Sequence, residues 1–213
     1  MKNTTKEILF LSSAIACLCA FSAMLIMVKT GHNFKIDQLN TFFYTHQNGF
    51  FTGFFKIFTY LGEWWAMALI GGLVLIYAKD KRVGIFCLIA VAVAVVLNLS
   101  VKYIVRRPRP TNMIVFEEGY SFPSAHAMIS FTFYSTLIYF VNTKMHDLPM
   151  QISFSVLLGL TILLLGLSRV YLNVHYFSDV LAGFLFGFVA LYITLTLFKI
   201  IKAKPAKQLV NQT

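Results

Sequence analysis

Long apolar segments, separated by short polar ones, dominate the pattern along this chain. The apolar runs cover residues 8–28, 63–78, 83–100, 127–141, 151–167 and 180–201. A helix of roughly 17 to 25 residues crosses about 30 Å of hydrocarbon. The pattern therefore predicts an all-α integral membrane protein with six transmembrane helices. Two boundaries are less well defined, because 127–141 is short and Gly71-Gly72 interrupts 63–78.

The first apolar run has a second possible interpretation, as a cleaved signal peptide. Lys2 and Lys6 precede it. The apolar region of a signal peptide spans about 7 to 15 residues and ends at a small-residue cleavage site. Because this run is longer, we expect a retained membrane anchor.

The segment between the first two spans is crowded with aromatic residues and nearly free of charge. Residues 42–65 read "FFYTHQNGFFTGFFKIFTYLGEWW". The first part could form a helix that lies in the membrane interface and borders a lateral opening for lipid tails. Alternatively, the segment is an ordinary aromatic belt with Trp64 and Trp65 at headgroup depth. The predicted architecture includes the interfacial helix between the first and second spans.

Composition agrees with a membrane protein of one domain. The chain is 58% hydrophobic and 12% charged, against roughly 25% charged residues in an average soluble domain. The length suits a single transmembrane domain over 1–201, followed by a cytoplasmic tail over 202–213. The three cysteines lie inside apolar runs, so we expect them to behave as small hydrophobic residues.

The charge distribution orients the predicted spans. The formal net charge is +10, but the chain lacks a basic, aromatic-rich soluble region that would bind nucleic acid. With six spans, the side of the termini holds ten lysines and arginines and the opposite side holds eight. Five of those eight form two compact clusters: Lys102, Arg106, Arg107, Arg109 and Arg169. Basic residues accumulate on the cytoplasmic side, so both termini are predicted to be cytoplasmic and the clusters extracytoplasmic.

Two loops on the outer side carry the candidate chemistry. One joins the third and fourth spans, and the other joins the fifth and sixth. Together they bring several cations, two histidines and a carboxylate to one face of the membrane, a combination suited to an oxyanion that reacts next to lipid. The residues are Lys102, Arg106, Arg107, Arg109, Ser124 and His126 in the first loop, and Arg169, His175 and Asp179 in the second.

The basic residues of the first loop each have a structural alternative. Arg106 and Arg107 could extend to lipid headgroups or contact the substrate, and the sequence leaves both possibilities open. Lys102 and Arg109 are seven residues apart. If the third helix continues that far, both can face one point before the two following prolines end it.

The histidines and acidic residues also have alternatives. His126 is predicted at a helix N-terminus, where free backbone N–H groups favour an anion, but an interfacial histidine can be simply polar. His175 and Asp179 are four apart, hence on one helix face, where the carboxylate could fix the imidazole tautomer or only cap the helix. Glu117 and Glu118 are expected to form a solvated loop face.

The order and spacing of these residues resemble the type 2 phosphatidic acid phosphatase family. Its signature has the form K-x6-RP, PSGH and SR-x5-H-x3-D, and this chain matches it from Lys102 to Asp179. One departure is Ala125, which stands where the family usually has glycine. An alanine keeps the backbone N–H but restricts the backbone conformations available. The short six-span form resembles the bacterial phosphatidylglycerophosphatase B branch.

The resemblance implies a division of catalytic roles that agrees with the residue chemistry. His175 is the expected nucleophile, oriented by Asp179, and His126 the expected general acid and base. The phosphate would be bound by Lys102, Arg109, Ser124, Ala125 and Arg169. No metal or cofactor is expected, because Asp179 is the only carboxylate of the signature and a two-metal site needs several ligands.

These expectations describe an enzyme of the cell membrane that acts on a lipid phosphate. The favoured substrate is phosphatidylglycerophosphate, and the alternative is undecaprenyl pyrophosphate, which suits an outward-facing site. No obligate protein partner is evident. A transporter or scaffold is the non-enzymatic alternative, since ionisable groups in membrane proteins often mark ion paths. The span interiors, however, contain almost no charge.

Overall fold

The computed structural model describes residues 2–203, and nearly all of the predicted tail over 202–213 lies outside this range. Within it the chain is helical and contains no strand, which confirms the all-α prediction. Two short 3-10 helices cover Lys35–Asp37 and Thr59–Gly62. The α-helices are α1 Lys2–Lys29, α2 Gln38–Thr45, α3 Gly49–Phe58, α4 Trp64–Tyr77, α5 Lys81–Val105, α6 Ala125–Lys144, α7 Leu148–Tyr171 and α8 Phe177–Ala203.

Four helices of the described range are individually long and apolar enough to cross a membrane: α1, α5, α7 and α8. A fifth crossing results if Gly49–Gly62 and α4 form one span, bent by 57°. Helix α6 coincides with the remaining predicted span but carries buried hydroxyl groups. Thr132 and Thr136 donate to carbonyl oxygens one turn earlier, at 2.9 and 2.8 Å. Six crossings, and the orientation of the termini, therefore stay predictions.

Helix α6 occupies the centre of the bundle, where it contacts α5, α7 and α8. Small residues on α8 allow the closest of these approaches. A Cβ atom added at Gly183 would lie 2.8 Å from the Ser124 carbonyl oxygen, and one at Gly187 2.9 Å from the Met128 carbonyl oxygen. Small residues commonly permit such close helix packing in membranes. Helix α8 is thereby pressed against the segment that begins α6.

The helix ends differ from two expectations drawn from the sequence. Helix α5 ends at Val105, because Arg106 adopts a left-handed conformation with φ of 56°. The conditional prediction that Lys102 and Arg109 share one continued helix was therefore wrong. Helix α8 begins only at Phe177, so His175 precedes it. The prediction that His175 and Asp179 lie on one helix face was also wrong.

The segment predicted to contain the interfacial helix forms two short helices, α2 and α3, which pack on the end of α7. The Tyr171 hydroxyl lies 3.2 Å from both the Asn48 nitrogen and the Thr52 hydroxyl, and its ring centre is 4.8 Å from that of Phe55. The opposite face of α3 remains apolar and open, with Phe50 78% exposed. Such a face suits a lipid environment, and its position in the interface stays a prediction.

The contact between α6 and α8 should depend on glycine at position 183. We expect Gly183→Ala to lower the unfolding temperature of the detergent-solubilised protein, because the new methyl group meets backbone atoms that cannot easily move. Gly159→Ala in α7 is the matched control, since nothing lies within 4 Å of its added Cβ. The control should keep or gain stability, as alanine favours a helix by up to about 1 kcal/mol. Equal unfolding temperatures would contradict the packing argument.

Candidate active site

A cavity of about 660 Å³ lies between α5, α6 and the loop that connects them. Five of the eight predicted site residues line this cavity, and its apolar wall lies toward α4 and α5. The other three predicted residues, Ser124, Arg169 and Asp179, are fully buried next to it. The five that line the cavity are Lys102, Arg109, Ala125, His126 and His175.

His175 lies between Arg109 and Asp179 at the back of the cavity. Its Nδ1 atom is 3.6 Å from Asp179 Oδ2, longer than a normal hydrogen bond, and its Nε2 atom is 3.1 Å from an Arg109 Nη1 atom. Burial lowers the pKa of His175 well below the ordinary histidine value, and the positive charges of Arg109 and Lys102 lower it further. The imidazole is therefore neutral and keeps a lone pair on Nε2.

Asp179 is held by Arg107, in a role that the sequence did not predict. Arg107 donates to Asp179 Oδ1 at 2.6 Å and to Asp37 Oδ2 at 2.8 Å, and its guanidinium carbon lies 4.1 Å from the centre of the Tyr176 ring. Asp37 also accepts the backbone N–H of Ser178 at 2.8 Å. Arg107 therefore neither extends to headgroups nor lines the cavity. It neutralises two carboxylates and fixes the first turn of α8.

Asn40 holds the loop that carries His175. Its amide nitrogen donates to the His175 carbonyl oxygen at 2.8 Å, and its amide oxygen accepts the Phe177 N–H at 3.1 Å. Neither Asn40 nor Asp37 carries a sequence signal, because both lie before α3 and far from the three motifs. Their contribution becomes visible only when the segment that contains them packs against the loop that carries His175 and the start of α8.

His126 lies in the first turn of α6, at the position the sequence predicted. Ser124 is the N-cap, and its hydroxyl accepts the Ala127 N–H at 3.4 Å. The Nε2 atom of His126 faces Glu63 Oε1 at 3.4 Å and makes no hydrogen bond within the described chain. Gly62 permits this approach, because a Cβ there would lie 2.7 Å from the His126 ring.

The arginine clamp, which we define as Arg109 and Arg169, is closed by Glu117. Arg169 is 1% exposed and donates to Glu117 Oε1 and, at 2.6 Å, to the Thr59 hydroxyl. Glu117 Oε2 lies 3.6 Å from Arg109 Nη2. Burial raises the pKa of Glu117, but Arg169 and the other nearby positive charges together lower it below the ordinary glutamate value, so the carboxylate stays charged. The expectation that Glu117 is part of a solvated face was wrong, whereas Glu118 is exposed.

The remaining cations of the cavity are positioned by backbone oxygens. Lys102 donates to the Tyr120 carbonyl at 2.6 Å. Arg109 donates to the carbonyls of Glu118 and Val174, both at 2.9 Å. These contacts link the loop after α5 to the loop before α8. The clamp is thus assembled from two segments about 60 residues apart in sequence, as the loop arrangement predicted.

One group of side chains could hold a metal ion. Glu63, Glu117 and His126 each offer a ligand atom, and these atoms lie within 4.8 Å of one another. Nitrogen and carboxylate ligands of this kind suit zinc. The two clamp arginines beside Glu117 repel a metal cation electrostatically. The charge distribution therefore favours an anion here. The absence of a metal in the reaction stays a prediction.

The fold and the cavity together define a membrane protein with a cationic cavity at one end of its helical bundle. The PAP2 superfamily matches residues 83–202, more than half of the chain. The chain belongs to this superfamily, which confirms the resemblance to the type 2 phosphatidic acid phosphatases. The matched range contains all eight predicted site residues.

Two relatives are similar to the chain over part of their length. Phosphatidylglycerophosphatase B of Bacillus subtilis strain 168 is 31% identical over 129 residues, which cover 60% of this chain and 63% of the relative. An undecaprenyl-diphosphatase of Sulfolobus acidocaldarius is 33% identical over 122 residues, or 54% of this chain and 55% of the relative. The similarity thus spans less than two thirds of either relative.

Two crystal structures share the fold. A transmembrane PAP2-type phosphatidylglycerolphosphate phosphatase from Bacillus subtilis superposes with a TM-score of 0.76 and 23% identity, covering 91% of this chain and 99% of that chain. LpxE of Aquifex aeolicus gives a TM-score of 0.63 and 25% identity, covering 75% and 93%. Together with the apolar helices, these similarities make the protein a multi-pass membrane protein.

The Arg107 contacts predict a large loss of stability when this side chain is removed. Arg107→Ala would leave Asp37 and the fully buried Asp179 without their counter-charge, a change that costs about 3–5 kcal/mol in buried pairs. We expect a strongly reduced unfolding temperature, measured in detergent by size-exclusion chromatography after heating. Arg106→Ala is the neighbouring control, because the side chain of Arg106 donates only to the carbonyl of Tyr103 among the described hydrogen bonds. Similar losses in both variants would contradict this assignment.

Proposed function

We propose that the protein is a lipid phosphatase that hydrolyses the terminal phosphate of a membrane lipid through a phosphohistidine intermediate. One observation carries the proposal. The buried imidazole of His175, with the buried carboxylate of Asp179 at 3.6 Å, lines the same cavity as a second histidine and a set of cations. Membership of the PAP2 superfamily supports the same reaction class.

The first chemical step uses the groups around His175. Its Nε2 attacks the phosphorus atom, and Asp179 stabilises the positive charge that develops on the ring. Lys102 and the arginine clamp neutralise the phosphoryl oxygens, while the N-terminus of α6, capped by Ser124, adds backbone donors. Since Nε2 lies 3.1 Å from Arg109 in the substrate-free structure, Arg109 has to turn toward the incoming phosphate.

His126 serves the leaving group and then the water. It donates a proton to the departing lipid oxygen as the bond between phosphorus and that oxygen breaks. It then takes a proton from the water that attacks the phosphohistidine, which releases inorganic phosphate and returns His175 to its neutral form. Burial disfavours the protonated ring in the substrate-free structure, and Glu63, 3.4 Å from Nε2, opposes this effect. The negative charge of a bound phosphate adds to that of Glu63 and favours the protonated ring needed for the first of these transfers.

The walls of the cavity support an amphiphilic substrate. Opposite the cations, the lining is apolar and continues to exposed side chains on the outer surface, with Trp64 57%, Leu99 47% and Tyr103 65% exposed. A lipid phosphate could therefore place its headgroup on the clamp while its tails leave sideways between α4 and α5. A soluble phosphate ester would gain nothing from this apolar side.

Phosphatidylglycerophosphate is the substrate we favour, by analogy with the relative from Bacillus subtilis. Undecaprenyl pyrophosphate is the alternative, supported by the name of the relative from Sulfolobus. We further propose six crossings, cytoplasmic termini and an extracytoplasmic site, as the basic residues of the loops indicate. A transporter or scaffold is disfavoured, because the charged groups gather at one end of the bundle.

Replacement of the nucleophile should abolish turnover. We expect His175→Ala, purified in detergent with EDTA present, to release no phosphate from phosphatidylglycerophosphate or undecaprenyl pyrophosphate, while the wild type hydrolyses at least one. The ratio of the wild-type rates of phosphate release from the two lipids identifies the preferred substrate. His46→Ala is the control, because His46 is exposed and contacts only its own helix end. Near-normal turnover by His175→Ala would refute the nucleophile assignment, and dependence on metal would refute the metal-independent scheme.

The role of His126 can be tested through the leaving group. A lipid alkoxide needs a proton as it departs, whereas nitrophenolate is stable without one. We therefore expect His126→Ala to slow release of the lipid alcohol in the first turnover by about 10²- to 10⁴-fold, and release of nitrophenolate in the first turnover by much less. Equal losses in this first step on the two substrates would argue against a general acid.

A further inference from the structure

Glu117 occupies the place where the proposed reaction requires phosphate. Its carboxylate contacts Arg169 through one oxygen and approaches Arg109 with the other. Both arginines are needed by the phosphoryl oxygens in the proposed mechanism. A buried guanidinium without any anion would be strongly destabilising, and Arg169 is buried completely apart from 1% of its surface. The substrate-free cavity therefore contains an anion supplied by the protein itself.

The carboxylate fills the arginine clamp incompletely. The Nε atom of Arg169 makes no hydrogen bond within the described chain, although it is buried. The distance of 3.6 Å between Glu117 Oε2 and Arg109 Nη2 is also too long for a hydrogen bond. A phosphoryl group offers three oxygens where a carboxylate offers two, so it can use donors that Glu117 leaves unused.

We infer that Glu117 is an internal competitor for the arginine clamp, which must leave before substrate binds and which helps to expel inorganic phosphate after hydrolysis. The inference rests on the proposed function. Competition within one molecule lowers the apparent affinity of every phosphate by the fraction of time that the clamp is free of Glu117. The substrate binds less tightly as a result, and the product leaves faster.

The location of Glu117 allows this exchange. It lies in the loop between α5 and α6, where its side chain is 26% exposed. Its neighbour Phe116 is 82% exposed, and Gly119 has a φ of 76°, which favours glycine. The side chain can reach solvent by a local change in this loop, whereas Arg169 is fixed in α7 by Thr59.

The test compares the affinities of wild type, Glu117→Gln and Glu118→Gln for inorganic phosphate. Dissociation constants are obtained from the rise in unfolding temperature of the detergent-purified protein with phosphate concentration. We expect Glu117→Gln, which removes the competing charge, to bind phosphate at least about tenfold more tightly. A tenfold change in the dissociation constant corresponds to about 1.4 kcal/mol of binding free energy. Glu118→Gln should match the wild type, because the Glu118 side chain is exposed. KM for the lipid should fall with the phosphate dissociation constant.

The opposite sign would overturn the inference. If Glu117 only holds Arg169 in place for the substrate, Glu117→Gln will bind phosphate more weakly and KM will rise. Unchanged affinity also overturns it. If Glu117→Gln does not fold, Glu117→Asp keeps the charge but shortens the reach, and it should tighten phosphate binding by a smaller factor. Failure of both variants to fold would make Glu117 a purely structural counter-ion.

The same experiment separates this inference from the proposed function. A wild-type protein that neither binds phosphate nor hydrolyses a lipid phosphate would refute the proposed function, and the inference with it. A wild type that does both, beside a Glu117→Gln variant of equal affinity, would refute the inference alone.

Discussion

Compensation of buried positive charge is the constraint on which this structure depends. Arg169 and Arg107 lie at the end of an apolar bundle with 1% and 14% of their side chains exposed. In such surroundings an unpaired guanidinium is strongly unfavourable, so each requires an anion within contact distance. The chain meets this requirement with acidic residues from three separate segments. These ion pairs connect the outer loops to the helix ends.

The two arginines receive their anions in different ways, and the difference separates a permanent structure from an exchangeable one. Arg107 is enclosed by Asp37 and Asp179 and by the ring of Tyr176. Nothing in this group faces the cavity, and it fixes the carboxylate behind His175. Arg169 instead meets Glu117, whose loop borders the cavity and whose carboxylate leaves donors unused. A phosphate can replace the second anion without disturbing the first.

The sequence predicted much of this arrangement, for reasons that are local. Apolar runs of the length of a membrane crossing located the long helices. The three motifs contain the five predicted residues that line the cavity. The roles that the sequence did not predict depend on tertiary packing. Asp37 acquires its role only when the segment after α1 reaches the start of α8. Glu117 looked solvated, since adjacent glutamates in a polar loop usually are, until the loop folded over Arg169.

The break between α3 and α4 shows why a regular membrane helix could not build this site. The chain bends by 57° here, and successive residues of the bend reach different parts of the cavity. Thr59 contacts Arg169, while Gly62 and Glu63 approach His126. Trp64 then lines the apolar side. In a straight helix Trp64 would point away from Thr59, because the two residues are five apart and each residue turns by about 100°. The bend therefore brings the polar contacts and the apolar opening to one place, which in the proposed reaction would join access from the membrane to the chemistry at the clamp.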